Sequence, residues 1–278
     1  MSIISIESIA CFESWLKAED RSSGTIQKYI RDITTLSRWL NGSPLTRESV
    51  TGWKEHLKNS GYTPTTVNSM LAAANTYCRF AGLDFKVKFL RIQRKMFCDK
   101  EKELSKPEYE RLIDTARAKG RERIAMIVET IGATGIRVSE LKYITVEAAK
   151  TGRAEISLKG KIRTILLTSK LCRKLLKYAQ KQKIASGEIF VTRSGKSLSR
   201  KQVWAEMKAL CEKAGVAASK VFPHNLRHLF ARMFYRATKD VAKLADVLGH
   251  SSIETTRIYL LSTGEEHTRI LERLRMVC

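Results

Sequence analysis

Apolar positions recur at helical spacing through the first third of the chain: Ile6, Ile9, Phe12, Trp15 and Leu16, then Ile26, Tyr29, Ile30, Ile33, Leu36 and Leu40. A helix turns once every 3.6 residues, so such a series lines one face, and four helices fit between Ile6 and Leu83. Asn41, Gly42, Ser43 and Pro44 mark a turn before the third. Thr63 followed by Pro64 supplies an N-cap and a first-turn proline for the fourth. Residues 1–83 are read as a small helical domain.

Over 84–103 the periodicity weakens and charge accumulates at Lys86, Lys88, Arg91, Arg94, Lys95, Lys100 and Lys102. This is a basic linker, either a strap along phosphates or an ordinary solvated connector; the segment alone does not decide. A second domain, 104–278, opens at Ser105, which forms a capping-box pattern with Glu108 and has Pro107 in the first turn. Helices are predicted from there to Tyr143. Between Ala154 and Leu167 the pattern switches to alternation: Ile156 and Leu158, a Lys159-Gly160 turn, then Ile165 and Leu167, which predicts a hairpin. A very basic helix follows (Lys170, Arg173, Lys174, Lys177, Lys181, Lys183), then a short strand at Ile189 to Val191, a helix capped by Ser199 with Gln202, and helices to the end. The last, Glu265 to Val277, carries Ile270, Leu271, Leu274 and Val277 on one side. That stripe needs a covering surface, on its own domain or on a neighbouring molecule. The predicted fold class is mainly α with a small β-sheet, the second domain being α+β.

Charge narrows the partner. Lysine and arginine total 51 against 28 acids, a formal net charge of +23, which suits a polyanion and makes nucleic acid the leading candidate. At 278 residues the chain can bury two cores. No apolar run approaches ~20 residues, and Glu7 and Glu13 interrupt the N-terminal apolar residues, so neither a membrane span nor a signal peptide is predicted. Cys11, Cys78, Cys98, Cys172, Cys211 and Cys278 are scattered, with no CxxC pair and no histidine at metal spacing. No metal site and a reducing, cytoplasmic setting are expected.

Cutting a phosphodiester without a metal requires a nucleophile, cations around the non-bridging oxygens and a proton donor for the departing hydroxyl. Arg137 lies in "GATGIRVSEL", after Gly132 and Gly135, where the backbone can turn sharply and bring a side chain into a cleft; alone it reads as a surface arginine. In "HNLRH", His224 and Arg227 are three apart, hence on one helix face and able to touch one phosphate, whereas His228 is expected to point elsewhere. His250 follows Gly249 at a helix end, where it could be only a cap. Tyr259 is expected in a helix whose other face is Ile253 and Ile258, with its hydroxyl outward. Each is weak singly; their joint occurrence in this order, with the hairpin between, is specific.

Together "GATGIRVSEL", "HNLRHLFAR" and "LGHSSIETTRIY" closely resemble the signatures of the tyrosine recombinase, or phage-integrase, family, and the resemblance covers nearly the whole chain. It implies a helical core-binding domain and a catalytic domain that form a C-shaped clamp on DNA. By position it makes Tyr259 the nucleophile, Arg137 and Arg227 the phosphate clamps, and His224 and His250 hydrogen-bonding or proton-transferring partners, with Glu140 in a supporting acidic position. For the family's hairpin lysine, "LKGKIR" offers Lys159, which is favoured, and Lys161 second; the segment is one residue shorter than usual. Asn225 stands where an aspartate is frequent, and Leu229 and Arg232 replace commoner small or hydroxyl residues.

The resemblance further implies a 3′-phosphotyrosine intermediate formed without cofactor, metal or ATP. The expected partners are double-stranded recombination sites, bound in pairs by a homotetramer that exchanges C-terminal helices. Lys86, Lys88, Arg91, Arg94, Lys95, Lys161, Arg200 and Lys201 are candidate DNA contacts. From the length, the extra arm-binding domain of some phage integrases is not expected. Three rivals stay open: a DNA-binding regulator that keeps the fold without recombining, a type IB topoisomerase, and a metal-dependent nuclease, for which no carboxylate cluster stands near the histidines. Neither the target site nor the choice among integration, excision, inversion and dimer resolution is written in the pattern.

Overall fold

A computed structural model describes residues 3–93, 100–158, 161–250, 252–259, 268 and 272–274. The chain separates into two compact units, Met1–Arg94 and Lys95–Cys278.

The first unit holds α1 (Ile6–Ala18), α2 (Ser23–Leu40), α3 (Arg47–Asn59) and α4 (Pro64–Phe80). Each starts on a hydroxyl that accepts a first-turn backbone N–H: Ser5, Ser22, Thr46 and Thr63. Asn41 closes α2 in the left-handed region, at φ 46°. The apolar faces meet in a core of Phe12, Leu16, Ile33, Leu36, Trp53, Leu57 and Leu71, with the Phe12 ring 5.0 Å from Tyr77, edge to face.

The start of the basic segment is not a free connector. The Asn75 carboxamide donates to the Val87 carbonyl (3.0 Å) and accepts the Val87 N–H (2.9 Å). Asn68, two turns earlier on α4, does the same with Leu90 at 2.9 and 2.7 Å. Val87 is buried, and Lys86, Lys88 and Arg91 stay exposed. Arg94 and Lys95 lie outside the described residues.

The second unit runs α5 (Lys106–Ala118), α6 (Glu122–Thr134), a 3-10 turn (Val138–Tyr143), α7 (Val146–Thr151), β1 (Arg153–Leu158) and β2 (Lys161–Leu166). After these come α8 (Ser169–Lys181), α9 (Arg200–Lys208), α10 (Cys211–Ala214), α11 (Pro223–Thr238), α12 (Val241–Leu248) and α13 (Ile253–Arg257). Both capping boxes form: Ser105 with Glu108, and Ser199 with Gln202. Helix α6 is buried nearly all round, through Ile124, Ala125, Met126, Ile127, Val128 and Ile131, because it packs against both α5 and α11.

The hairpin is antiparallel and pairs Ala154 with Ile165 and Ile156 with Arg163. Paired residues share a face, so Arg163 stands with the buried Ala154, Ile156 and Ile165, while Ile162 and Leu166 face outward at 75% and 70% exposure. The Lys159-Gly160 turn lies outside the described residues.

Two expectations are corrected. Ile189 to Val191 is not a strand: only isolated bridges flank it, Thr145 with Glu188 and Val191 with Ser197. Its adjacent Ile189 and Phe190 are both buried, so their strand-like composition reflects core filling rather than alternation. The basic helix stops at Lys181, and Lys183 sits beyond it at φ 57°. Of the terminal stripe, Leu274 is exposed, and Ile270, Leu271 and Val277 lie outside the described residues. Among the described residues no helix is long and apolar enough to cross a membrane.

Candidate functional site

Two glycines shape the site. Helix α6 ends at Gly135, φ 65°, where an added Cβ would fall 2.3 Å from Phe230 Cδ1. Helix α12 ends at Gly249, φ 63°, where a Cβ would fall 2.4 Å from Arg163 Cδ. A side chain at either position would be strained twice, by backbone conformation and by contact.

The reversal at Gly135 leads into Arg137, which caps the 3-10 turn. Its backbone N–H donates to Glu140 Oε2 (2.7 Å) and its Nη1 to Oε1 (2.9 Å). Glu140 is 1% exposed, and Oε2 also accepts Arg163 Nη2 at 2.5 Å. Arg137 itself keeps a 42% exposed side chain, so part of its donor set is open.

Arg227 projects from the second turn of α11 and is 1% exposed. Its Nη1 donates to the Gly135 carbonyl (2.5 Å) and its Nη2 to the Leu248 carbonyl (2.7 Å). These carbonyls end α6 and α12, where helix dipoles concentrate negative potential, so two helix termini stand in for a counter-ion. Burial, then the Arg137 charge, pulls its pKa down to about 10, with the Tyr259 hydroxyl acting in the opposite direction. The group stays cationic at neutral pH.

His250 has its tautomer fixed by its neighbours. Arg227 Nη2 lies 2.9 Å from His250 Nε2, and a guanidinium has only donors, so Nε2 accepts. The proton therefore sits on Nδ1, which donates to the fully buried Thr256 Oγ1 at 2.8 Å. Burial and the Arg227 charge hold the imidazole pKa down at about 4, so it is neutral.

Tyr259 is 4% exposed and lies in the turn just past α13. Its ring stacks on His250, with centroids 5.6 Å apart at 14°, and meets His228 at 4.3 Å and His224 at 6.0 Å. The expected packing is reversed: Ile253 and Ile258 are exposed and the tyrosine is inside, because α13 ends at Arg257 and the chain turns the ring back onto Ala231, Leu244 and Leu248. His228 does not point elsewhere either. Position i+4 shares a helix face with i as i+3 does, and its ring lies 4.7 Å from His224. Burial first, then His224 and nearby arginines, lowers the His228 pKa to about 4. His224 keeps an exposed edge; crowding of its ring and the charges of Arg227 and Arg137 lower its pKa as well.

The structure thus gathers Arg137, Glu140, His224, Arg227, His250 and Tyr259 at the ends of α6 and α12 and the start of α11. Lys159 and the side chain of Lys161 lie outside the described residues; Arg200 and Lys201 are exposed at the start of α9. Sequence reasoning missed Arg163, His228 and Thr256. Arg163 carried a signal, since it stands two residues before Ile165 and so on the inward side of an alternating strand.

The family departures also find partners. Asn225 Nδ2 donates to the Lys102 carbonyl (2.9 Å) and the Lys220 carbonyl (2.7 Å), two donations an aspartate cannot make. Arg232 pairs with Glu103 and donates to the Leu104 carbonyl, and Leu229 joins the core. Among the described residues no group of three or more His, Cys, Asp or Glu side chains could hold a metal ion.

Comparison with known proteins covers both units. Residues 102–266 match the phage integrase family, and residues 9–83 match a phage integrase N-terminal SAM-like domain. Tyrosine recombinase XerA of Thermococcus kodakarensis is 30% identical over 278 residues, covering 98% of this chain and 96% of the relative. The fold is similar to that of the XerH site-specific recombinase bound to its difH substrate, with TM-score 0.71 and 17% identity over 96% of this chain and 84% of that one. It is also similar to a lambda integrase dimer bound to a COC′ core site, with TM-score 0.72 and 16% identity over 91% and 94% of the two chains. Sequence and fold agree along both units, and the chain belongs to the phage integrase family of tyrosine recombinases.

Proposed function

We propose that this site-specific DNA recombinase cleaves one strand of a duplex with Tyr259. The phenolic oxygen bonds to the scissile phosphorus, the bond from phosphorus to the 5′ oxygen breaks, and a 3′-phosphotyrosine and a free 5′-hydroxyl result. Attack on the adduct by the 5′-hydroxyl of another strand rejoins the DNA and releases Tyr259. The phosphodiester energy is retained in the adduct, so no ATP is called for, and the two guanidinium groups take the place a metal ion would hold at the phosphate oxygens. Arg227 and Arg137 hold the non-bridging oxygens as charge builds. His224, with its exposed edge, exchanges hydrogen bonds and protons with the phosphate and nucleophile, and the neutral His250 joins them as a hydrogen-bonding partner once its Nε2 is released from Arg227 by the phosphate. Lys159, or failing it Lys161, protonates the leaving 5′ oxygen.

The observation that carries this reading is Arg227. A cation at 1% exposure, answered among the described residues by the dipoles of two helix-end carbonyls and an imidazole rather than by a carboxylate, keeps its full charge for an anion such as a phosphodiester. The complexes of XerH with difH and of lambda integrase with a COC′ core site, and the lambda integrase tetramer on a Holliday junction, support double-stranded recombination sites as substrate and a homotetramer as the working assembly. In that assembly the 1–83 core-binding domain and the 104–278 catalytic domain would clamp the duplex, and the C-terminal helix would be exchanged between protomers. Lys86, Lys88, Arg91, Arg94, Lys95, Lys161, Arg200 and Lys201 would contact DNA, and the reaction would take place in the cytoplasm.

Covalent trapping tests this. Wild type and Tyr259→Phe are incubated in EDTA with sheared genomic DNA from the source organism and run on a denaturing gel. An adduct with wild type alone is expected, and sequencing the attached DNA names the site. DNA retention by both proteins with an adduct from neither would favour a regulator that keeps the fold.

A further inference from the structure

Among the described side chains on the inner face of the hairpin, Arg163 alone is charged; Ala154, Ile156 and Ile165 are apolar. Its side chain is 15% exposed and joins three elements. It stands on β2, donates through Nη2 to Glu140 Oε2 in the 3-10 turn (2.5 Å), and donates through Nη1 to the Val247 carbonyl in the last turn of α12 (3.0 Å). Gly249 makes room for it, because any Cβ there would lie 2.4 Å from Arg163 Cδ. Val247 and Gly249 lead directly into His250. Glu140 in turn holds Arg137 through both its backbone N–H and Nη1.

We infer that Arg163 is a positioning residue for strand cleavage, fixing Glu140, and through it Arg137, against the end of α12 that presents His250. The inference rests on the catalytic reading of Arg137 and His250. A planar fork is what the geometry demands, since one guanidinium reaches a carboxylate and a carbonyl at once, whereas a lysine ammonium on a flexible stem holds only one of them in register. Arg163 also shares the Glu140 charge. With it in place, one carboxylate is divided between two arginines and Arg137 keeps open donors. Without it, Glu140 pairs with Arg137 alone and the loop and helix end are no longer tied together.

The test uses the same trapping assay as a time course, with DNA retention on a native gel and the unfolding midpoint measured in parallel. The proteins are wild type, Tyr259→Phe, Arg163→Gln, Arg163→Lys, Glu140→Gln and the Arg163→Gln/Glu140→Gln double variant. Arg163→Gln and Arg163→Lys are expected to slow adduct formation by about 10- to 100-fold, the size of effect that a slightly misplaced phosphate clamp produces. DNA retention should stay near wild type. The double variant should be little slower than the slower single variant, because both act through one carboxylate.

Adduct rates in Arg163→Gln and Arg163→Lys indistinguishable from wild type would overturn the inference. So would losses that multiply in the double variant, or losses that merely track DNA retention and unfolding midpoint, as for a structural residue. If Arg163→Gln does not fold, Arg163→Lys alone decides. A wild type that forms no adduct overturns the catalytic reading itself, which is distinct from an active wild type matched by an equally active Arg163→Gln.

Discussion

The unit Met1–Arg94 closes over aromatic and aliphatic side chains, and the one charged group buried among its described residues, Asp32, is paired with Lys28 beside it. The unit Lys95–Cys278 buries Glu140 and Arg227 at 1% exposure each, together with Thr130, Thr134, Asn225 and Thr256. Apolar burial stabilises by roughly 25 cal/mol per Å², whereas a buried ion costs several kcal/mol unless its surroundings answer it. A first unit built that way is shaped to hold form. The second carries a polar interior as well: its buried Glu140, Arg227 and Thr256 bond Arg137 and His250, while Thr130, Thr134 and Asn225 donate to carbonyls elsewhere in the unit. Burial in one region is almost wholly apolar, and in the other it also encloses a hydrogen-bonded carboxylate and guanidinium.

The contrast can be broken most forcefully at Arg227. Arg227→Met should cut adduct formation by about 10³-fold or more, as loss of a transition-state cation does. The unfolding midpoint of the second unit should move little, because relief from burying the charge offsets the lost bonds to the Gly135 and Leu248 carbonyls. Collapse of the fold in this variant would show the arginine to be structural.

Phe12→Ala is the opposite case. It should cost the first unit about 3–5 kcal/mol. Trp15, Trp39 and Trp53 lie in that unit and Trp204 in the other, so tryptophan fluorescence should melt earlier while a probe of the second unit is unchanged.

Acid should separate the units gradually. His228 and His250 have pKa values held near 4 in the fold against an ordinary 6.5, so the unfolded chain takes up their protons first. Stability from these neutral histidines is complete above about pH 6.5 and is lost as pH falls toward about 4. Thermal midpoints across that window should fall for the second unit more than for the first, whose one histidine, His56, is exposed.

The smallest effect is expected from Asn225→Asp, which trades two donations for a carboxylate facing the Lys102 and Lys220 carbonyls. A loss of about 1–3 kcal/mol from the second unit, read in denaturant unfolding, would match carbonyls left without their buried donor.

Much of this was legible in local chemistry. Ser105 with Glu108, Ser199 with Gln202, and Thr63 with Pro64 act over three residues, and the sequence contains everything their geometry needs. The hairpin followed from alternation. What escaped depends on distant partners. Arg163 meets Glu140 across 23 residues and Val247 across 84, and in a basic hairpin an arginine reads as solvated. The spacing brings Arg227 near His224 on one helix face, but nothing local marks it as buried, since its carbonyls come from helix ends 92 and 21 residues away. Ile253 and Ile258 suggest the inward face of a helix that carries Tyr259; only the end of α13 at Arg257 turns the ring inside.

Asn68 and Asn75 have a consequence of their own. Fixing a backbone residue gives up about 1–2 kcal/mol of conformational entropy at room temperature. By clasping Leu90 and Val87, these two side chains exact that loss when the first unit folds. A polyanion that settles along Lys86, Lys88 and Arg91 meets charges already held in place, and a larger share of each contact survives as affinity.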